Sequence, residues 1–335
     1  MKGLLIILMV AGHAQIPIHR FIYLFHMSAF FMITGWLFNH KACNINLNSY
    51  IQKKVRTLYL PYVYFNIIFI ALALICPYIF DDLPQSIWIN KLLHVFLFNG
   101  ECNMTGASWY VRSLFVSSIL FCACFKIFFH RRLGMVVMGG VISLFTVVYI
   151  IMPNTMVGVF STSLLCIGCG YALKQIYNRI LYPINKDSIR NMIFIIIVGL
   201  GLLSLLYFTN EEISMVSNSL VNPMYFLCAG ILGFVFVYQI STLINRLHIG
   251  EALSYCGKKS IWILFLHMLS FKLVAYLQIH TIGLDMHCIS KHPIPAVVPY
   301  WWMLYTIIGV TIPLLIEYLF HTCKSKLLFI MHNGQ

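Results

Sequence analysis

Residues 2–38 read KGLLIILMVAGHAQIPIHRFIYLFHMSAFFMITGWLF. Two apolar runs, 3–14 and 21–38, flank a short polar break at Pro17, yet the stretch also carries His13, His19, Arg20 and His26. It reads as a membrane hairpin with a histidine in each arm. An ionisable side chain is costly inside hydrocarbon, so its presence there marks a candidate functional site.

Outward from this hairpin, the whole chain has the composition of a membrane protein. Of its 335 residues, 61% are hydrophobic and only 9% charged, with a mean hydropathy of +0.87. A soluble domain carries about 25% charged residues. The expected fold is therefore all-α, a polytopic integral membrane protein. The formal net charge of +13 does not point to nucleic acid. The cations sit in short loops beside apolar runs, where the positive-inside bias puts them, and the 15% aromatic content suits interface belts and span packing.

The eleven cysteines are scattered and mostly lie in apolar runs. Cys166 and Cys169 have a redox spacing but fall inside an expected span, with no second pair, so they read as buried apolar thiols. The spacings support neither zinc nor a disulfide framework. The N-terminal run has one lysine and continues directly into further apolar runs, unlike a cleaved signal.

A helix needs about 20 residues to cross the hydrocarbon core. The expected spans are 2–15, 21–40, 58–80, 107–128, 133–152, 158–177, 189–209, 219–243, 258–279 and 297–321. That makes about ten transmembrane helices. The first is short, as expected of a re-entrant helix or of a chain with residues missing before Met1. Segment 47–57 reads as an interfacial amphipathic helix, and 86–98 is too short to span easily. Alternate loops hold Lys53, Lys54 and Arg56, then Lys126, Arg131 and Arg132, then Arg246, Lys258 and Lys259; the others hold Asp81, Asp82, Glu101, Glu211, Glu212 and Asp285. The bias places the first set, and both termini, in the cytoplasm, which an even number of spans requires. One transmembrane domain over 1–335 is expected, with no fused soluble domain.

Lys2 and His13 stand eleven positions apart, about 16 Å along a helix. With Lys2 at the cytoplasmic face, His13 lies at or beyond mid-membrane, and His26 comes back to a similar depth on the second arm. An imidazole there can serve as a general base near neutral pH. The alternative for either histidine is a hydrogen bond to a neighbouring helix. Arg56, ahead of Pro61 and Tyr62, is an interfacial anchor or an anion contact, and lipid headgroups satisfy such cations too. Arg112, near the start of the fourth span, needs a partner or a wet cavity, and Glu101 is one possible partner. His267 lies well inside the ninth span. No phosphate loop, metal motif or nucleophile elbow is present.

Several blocks resemble one family: KGLLIILMVAGHA, FIYLFHMSAFFMITGWLF, KKVRTLYLPY, SWYVRSLF and LSYCGKKSIWILFLH. In order and spacing they look like the acyltransferase family 3 membrane proteins, with the fucose 4-O-acetylase-like branch the most similar. The resemblance implies a membrane O-acyltransferase, an O-acetyltransferase in the usual case. It would move an acetyl or similar small acyl group from acetyl-CoA to a hydroxyl of a surface polysaccharide or lipid-linked glycan, in the bacterial inner (cytoplasmic) membrane. Acetyl-CoA would be the donor substrate, with no cofactor bound permanently and no metal. The family's basic-x10-His pattern falls on Lys2 and His13, where a lysine keeps the charge but loses the bidentate fork of the usual arginine. Phe25, His26 and Met27 match the next block, Arg56, Pro61 and Tyr62 another, and His267 the ninth-span histidine. The resemblance implies catalytic roles for His13 and His26, and donor or acceptor contacts for Lys2, Lys54, Arg56, Arg112 and His267. The competing class is a transporter or flippase of lipid-linked saccharides, which would show repeated halves or matching broken spans.

Overall fold

The computed structural model describes residues 1–39, 46–80, 84–98, 100–105, 107–128, 147–148, 151–152, 155–177, 188–208, 213–215, 222–246 and 250–333. The described elements are helical. Seven helices among these residues are long and apolar enough to cross a membrane: Leu47–Ile75, Ser108–Lys126, Met156–Ile176, Ile189–Phe208, Pro223–Arg246, Ser260–Ile282 and Trp301–Lys326. They coincide with seven of the expected spans, and the chain is a multi-pass membrane protein. The expected span at 133–152 lies outside the described residues, apart from 147–148 and 151–152.

The two remaining expected spans, which form the opening hairpin, differ from a plain pair of crossings. Helix α1, Lys2–His13, is 12 residues long and covers about 18 Å. Gln15 adopts a left-handed φ of 59°, and Pro17 restricts the residue before it and lacks an N–H, so the helix ends at its histidine. The second arm is broken into α2, His19–Tyr23, and α3, His26–Trp36. His26 therefore opens a helix rather than lying within one. Helix α4, Leu47–Lys54, is not a separate interfacial helix. It runs through a π turn, Val55–Tyr59, straight into α5, Leu60–Ile75. Pro61 has no N–H to offer the carbonyl of Thr57, and the wider turn falls at this interruption. The short segment expected at 86–98 is α6, Gln85–His94, followed by a 3-10 turn, Val95–Leu97. The later helices are α7, Ser108–Phe128; α8, Met156–Ile176; α9, Ser188–Phe208; α10, Pro223–Arg246; α11, Gly250–Lys258; α12, Ser260–Ile282; and α13, Trp301–Asn333.

The chain divides into two compact units. The first comprises Met1, Arg20–Tyr64 and Trp109–His248; the second comprises Lys2–His19, Phe65–Ser108 and Ile249–Gln335. In the first unit α3 packs on α8 and α10 through small residues. A Cβ on Gly35 would stand 1.8 Å from the carbonyl oxygen of Ile167, and one on Gly170 would stand 2.0 Å from that of Met32. Trp36, Tyr177, Phe234 and Tyr238 form an aromatic cluster beside this contact, with ring centroids 5.2–5.4 Å from that of Trp36. In the second unit α1 packs on α11, α12 and α13. Phe65 of α5 stacks on Phe265 of α12 at 4.6 Å. Among the described residues nine cysteines are free thiols, whereas Cys122 is disulfide-bonded, which the scattered spacing had not suggested.

Small residues let membrane helices approach closely, because hydrocarbon offers no hydrophobic drive between them. Gly35→Ala should therefore lower stability by about 1–3 kcal/mol, the cost of overpacking a tight contact. Gly201→Ala, whose nearest neighbour is a side-chain atom at 3.7 Å, should change little. Thermal unfolding in detergent, followed by loss of the monodisperse gel-filtration peak, checks both.

Candidate functional site

In the second unit two histidines meet inside the apolar interior. The meeting is set at one end by Gly3 of α1 and Gly257 of α11. A Cβ on Gly3 would stand 1.8 Å from the carbonyl oxygen of Leu253, and one on Gly257 would stand 2.9 Å from the nitrogen of Gly3. Only glycine on both sides permits that backbone contact. Ten residues on from each glycine stand His13 and His267 (13 − 3 and 267 − 257). His13 lies about 15 Å along α1 from Gly3, and His267 lies on α12, beyond the joint at Lys259. Their ring centroids are 5.2 Å apart and the rings are nearly perpendicular, at 86°.

The two imidazoles differ in environment. His267 is fully buried, and its Nδ1 lies 3.0 Å from the carbonyl oxygen of Ile263 and 2.9 Å from that of Leu264. Carbonyl oxygens only accept, so the proton belongs on Nδ1 and Nε2 carries the lone pair. That Nε2 is buried with no hydrogen-bond partner among the described residues. Phe271 closes the other side of the ring at 5.7 Å. His13, at the last turn of α1, is half-buried and keeps exposed surface. The pair thus combines an imidazole of assigned tautomer with one that keeps accessible surface.

Polar contacts not read from motifs hold the rest of this unit. Lys272, five residues beyond His267 and buried, donates to the carbonyl oxygens of Ile289 (2.6 Å) and Lys291 (2.9 Å). Buried Gln278 donates to the carbonyl of Ala296 at 3.0 Å and accepts from the Tyr305 hydroxyl at 2.7 Å. The segment after α12 is thereby tied back onto the helix that carries His267. Fully buried Asn66 accepts from the Thr105 hydroxyl at 2.9 Å and from the Cys102 amide at 3.3 Å. A cleft of about 280 Å³ lies between Pro77, Tyr78 and Phe80 on one side and Met286, His287, Ile289 and Ser290 on the other. The signal for Lys272 was present in the sequence: a charge within an apolar run is itself unusual.

The expected site residues divide between the units. Lys2, His13 and His267 lie in the second. Lys2 is exposed at the start of α1, and only the two histidines are in ring contact. His26, Lys54, Arg56 and Arg112 lie in the first. His26 is buried, with Nδ1 3.0 Å from the Ile22 carbonyl oxygen and its ring 5.2 Å from that of Tyr23. Lys54 stands over the Tyr50 ring at 5.3 Å, Arg56 is exposed on the π turn, and Arg112 is buried on α7. Arg131 and Arg132 lie outside the described residues.

A multi-helix membrane protein in which a buried imidazole meets a half-buried one has groups able to transfer a proton. The family described as an acyltransferase domain matches residues 1–318, and the chain belongs to that family, acyltransferase family 3. It is an acyltransferase of the membrane. No curated protein and no solved structure matches the chain.

Replacing Lys272 with Met should leave two part-buried carbonyls without their donor, at about 1 kcal/mol. Hydrogen exchange of residues 286–291 should accelerate in Lys272→Met, while that of α8 should stay as in the wild type.

Proposed function

We propose that the protein transfers an acetyl group from acetyl-CoA to a hydroxyl of a bacterial surface glycan, at the inner membrane. The observation that carries this reading is the His13–His267 pair, with its fixed tautomer and one accessible ring, within a chain of an acyltransferase family. A sugar hydroxyl is a weak nucleophile and needs a base as it attacks. His13 takes the hydroxyl proton while the oxygen attacks the thioester carbonyl. The tetrahedral intermediate collapses, the C–S bond breaks, and the proton passes to the departing thiolate. An ester and free CoA are formed, and no redox change occurs.

His267 acts on His13 through its edge contact, which holds the ring. Lys2, with its cation at the other end of α1, receives the donor's phosphates about 16 Å from the base. The cleft beside Tyr78 suits the acceptor, since its described lining mixes aromatic and aliphatic faces with His287 and Ser290. From the family pattern, we also assign His26 a catalytic role and Lys54, Arg56 and Arg112 substrate contacts within their own unit.

The test is the ester itself. Proton NMR of the purified surface polysaccharide, before and after mild base, should show a base-labile acetyl signal in the wild type. That signal should be missing when His13→Ala is expressed at equal level. An unchanged ester in the variant contradicts the assignment, and unchanged ester with less polymer at the surface indicates a transporter. With purified protein, His13→Ala should lower acceptor-dependent CoA release by about 10²–10⁴-fold, the usual range for a general base.

A further inference from the structure

The glycine contact that sets the depth of the histidines also gathers cations at the opposite end of α1. The carbonyl carbon of Lys2 lies 3.6 Å from where a Cβ on Gly257 would stand, and Lys258 and Lys259 follow Gly257 directly. Lys2 and Lys258 are both exposed. The backbone positions of three lysines therefore lie where α1 meets the joint between α11 and α12. Like charges at one mouth repel, so such a cluster is sustained by a counter-charge or a ligand.

The counter-charge present is a buried carboxylate, Glu317 of α13, with its side chain only 2% exposed. The Lys259 ammonium donates to its Oε1, the Tyr255 hydroxyl donates to its Oε2 at 3.3 Å, and His321 Nε2 lies 3.1 Å from Oε1. An acid inside an apolar helix is expensive unless it is paired, and here it is paired by three groups. Lys259 stays 32% exposed, so its ammonium has donors left for a second partner. Glu317 thus fixes a lysine that long-chain freedom would otherwise scatter. It offsets one positive charge of the three, and Glu251, the other carboxylate of this region, stands at the far end of α11.

We propose that Lys2, Lys258 and Lys259 form a phosphate-binding site, with Glu317 as the residue that positions Lys259. The ligand class is a phosphomonoester or diphosphate, with cations supplied as point charges by lysine. This rests on the acyltransferase reading, in which the phosphates are those of the acyl donor. An anionic lipid headgroup offers the same chemistry.

The experiment uses the full chain in nanodiscs of zwitterionic lipid. Adenosine 3′,5′-bisphosphate is titrated by calorimetry, and short-chain phosphatidylglycerol is titrated separately. The variants are Lys258→Ala and the double variant Lys259→Met with Glu317→Gln, which removes both members of the buried pair and leaves no charge stranded. Each should weaken phosphate binding about tenfold, as expected for one charge-assisted contact. The ratio of kcat/KM for acetyl-CoA to that for acetyl-pantetheine, which lacks phosphate, should fall by the same factor. Binding of the bisphosphate assigns the site to the donor, and binding of the lipid alone assigns it to a headgroup. Variants that bind both probes as the wild type does overturn the site. A wild type that binds the bisphosphate but releases no CoA from acetyl-CoA overturns the acyltransfer reading and leaves the site standing.

Discussion

The close approach of Gly3 to Gly257 is the contact on which the second unit depends. With a Cβ 1.8 Å from a carbonyl oxygen, no other residue at position 3 is compatible with the packing. The contact works in two directions at once. Ten residues one way along each chain path, two imidazoles reach ring contact; at the contact itself, the backbone of Lys2 lies beside Gly257, which Lys258 and Lys259 follow. His13 and Lys2 thereby stand at opposite ends of a single 12-residue helix. In the proposed reading, a donor whose reactive carbon is far from its phosphates uses both ends, separated by a rigid spacer.

The second constraint is the cost of polarity in hydrocarbon. Several buried polar groups in this unit are answered by another part of the same unit. Lys272 and Gln278 take carbonyls from the segment after α12, Asn66 takes a hydroxyl and an amide, and Glu317 takes a lysine, a tyrosine and a histidine. The Nε2 of His267, like the Nε1 of Trp88, has no such partner among the described residues. A buried acceptor without a donor costs about 1–3 kcal/mol, and such a cost is retained where chemistry uses the lone pair.

Much of this was legible from residues alone, because hydrocarbon imposes simple demands. Runs of about 20 apolar residues read as spans, and seven of them are helices of that kind. His13, His26 and His267 were conspicuous as ionisable groups in apolar runs. What the pattern did not give was partnership. The pairing of His13 with His267 goes with a glycine contact between positions over 250 residues apart, and no local spacing encodes it. Periodicity also did not reveal that the second arm breaks between α2 and α3, since apolar residues continue through the break. Lys272 and Glu317 were visible as charges in apolar runs, yet their roles follow only from the carbonyls and cations that meet them.

The central claim is that His13 and His267 act as one catalytic unit. A double-mutant cycle on kcat/KM for acyl transfer tests it most directly, using His13→Ala, His267→Ala and both together. Residues that act as a unit are strongly non-additive. The account predicts that the double variant is no slower than His13→Ala alone. Losses that multiply, with the double variant slower by the product of the two single effects, would contradict it.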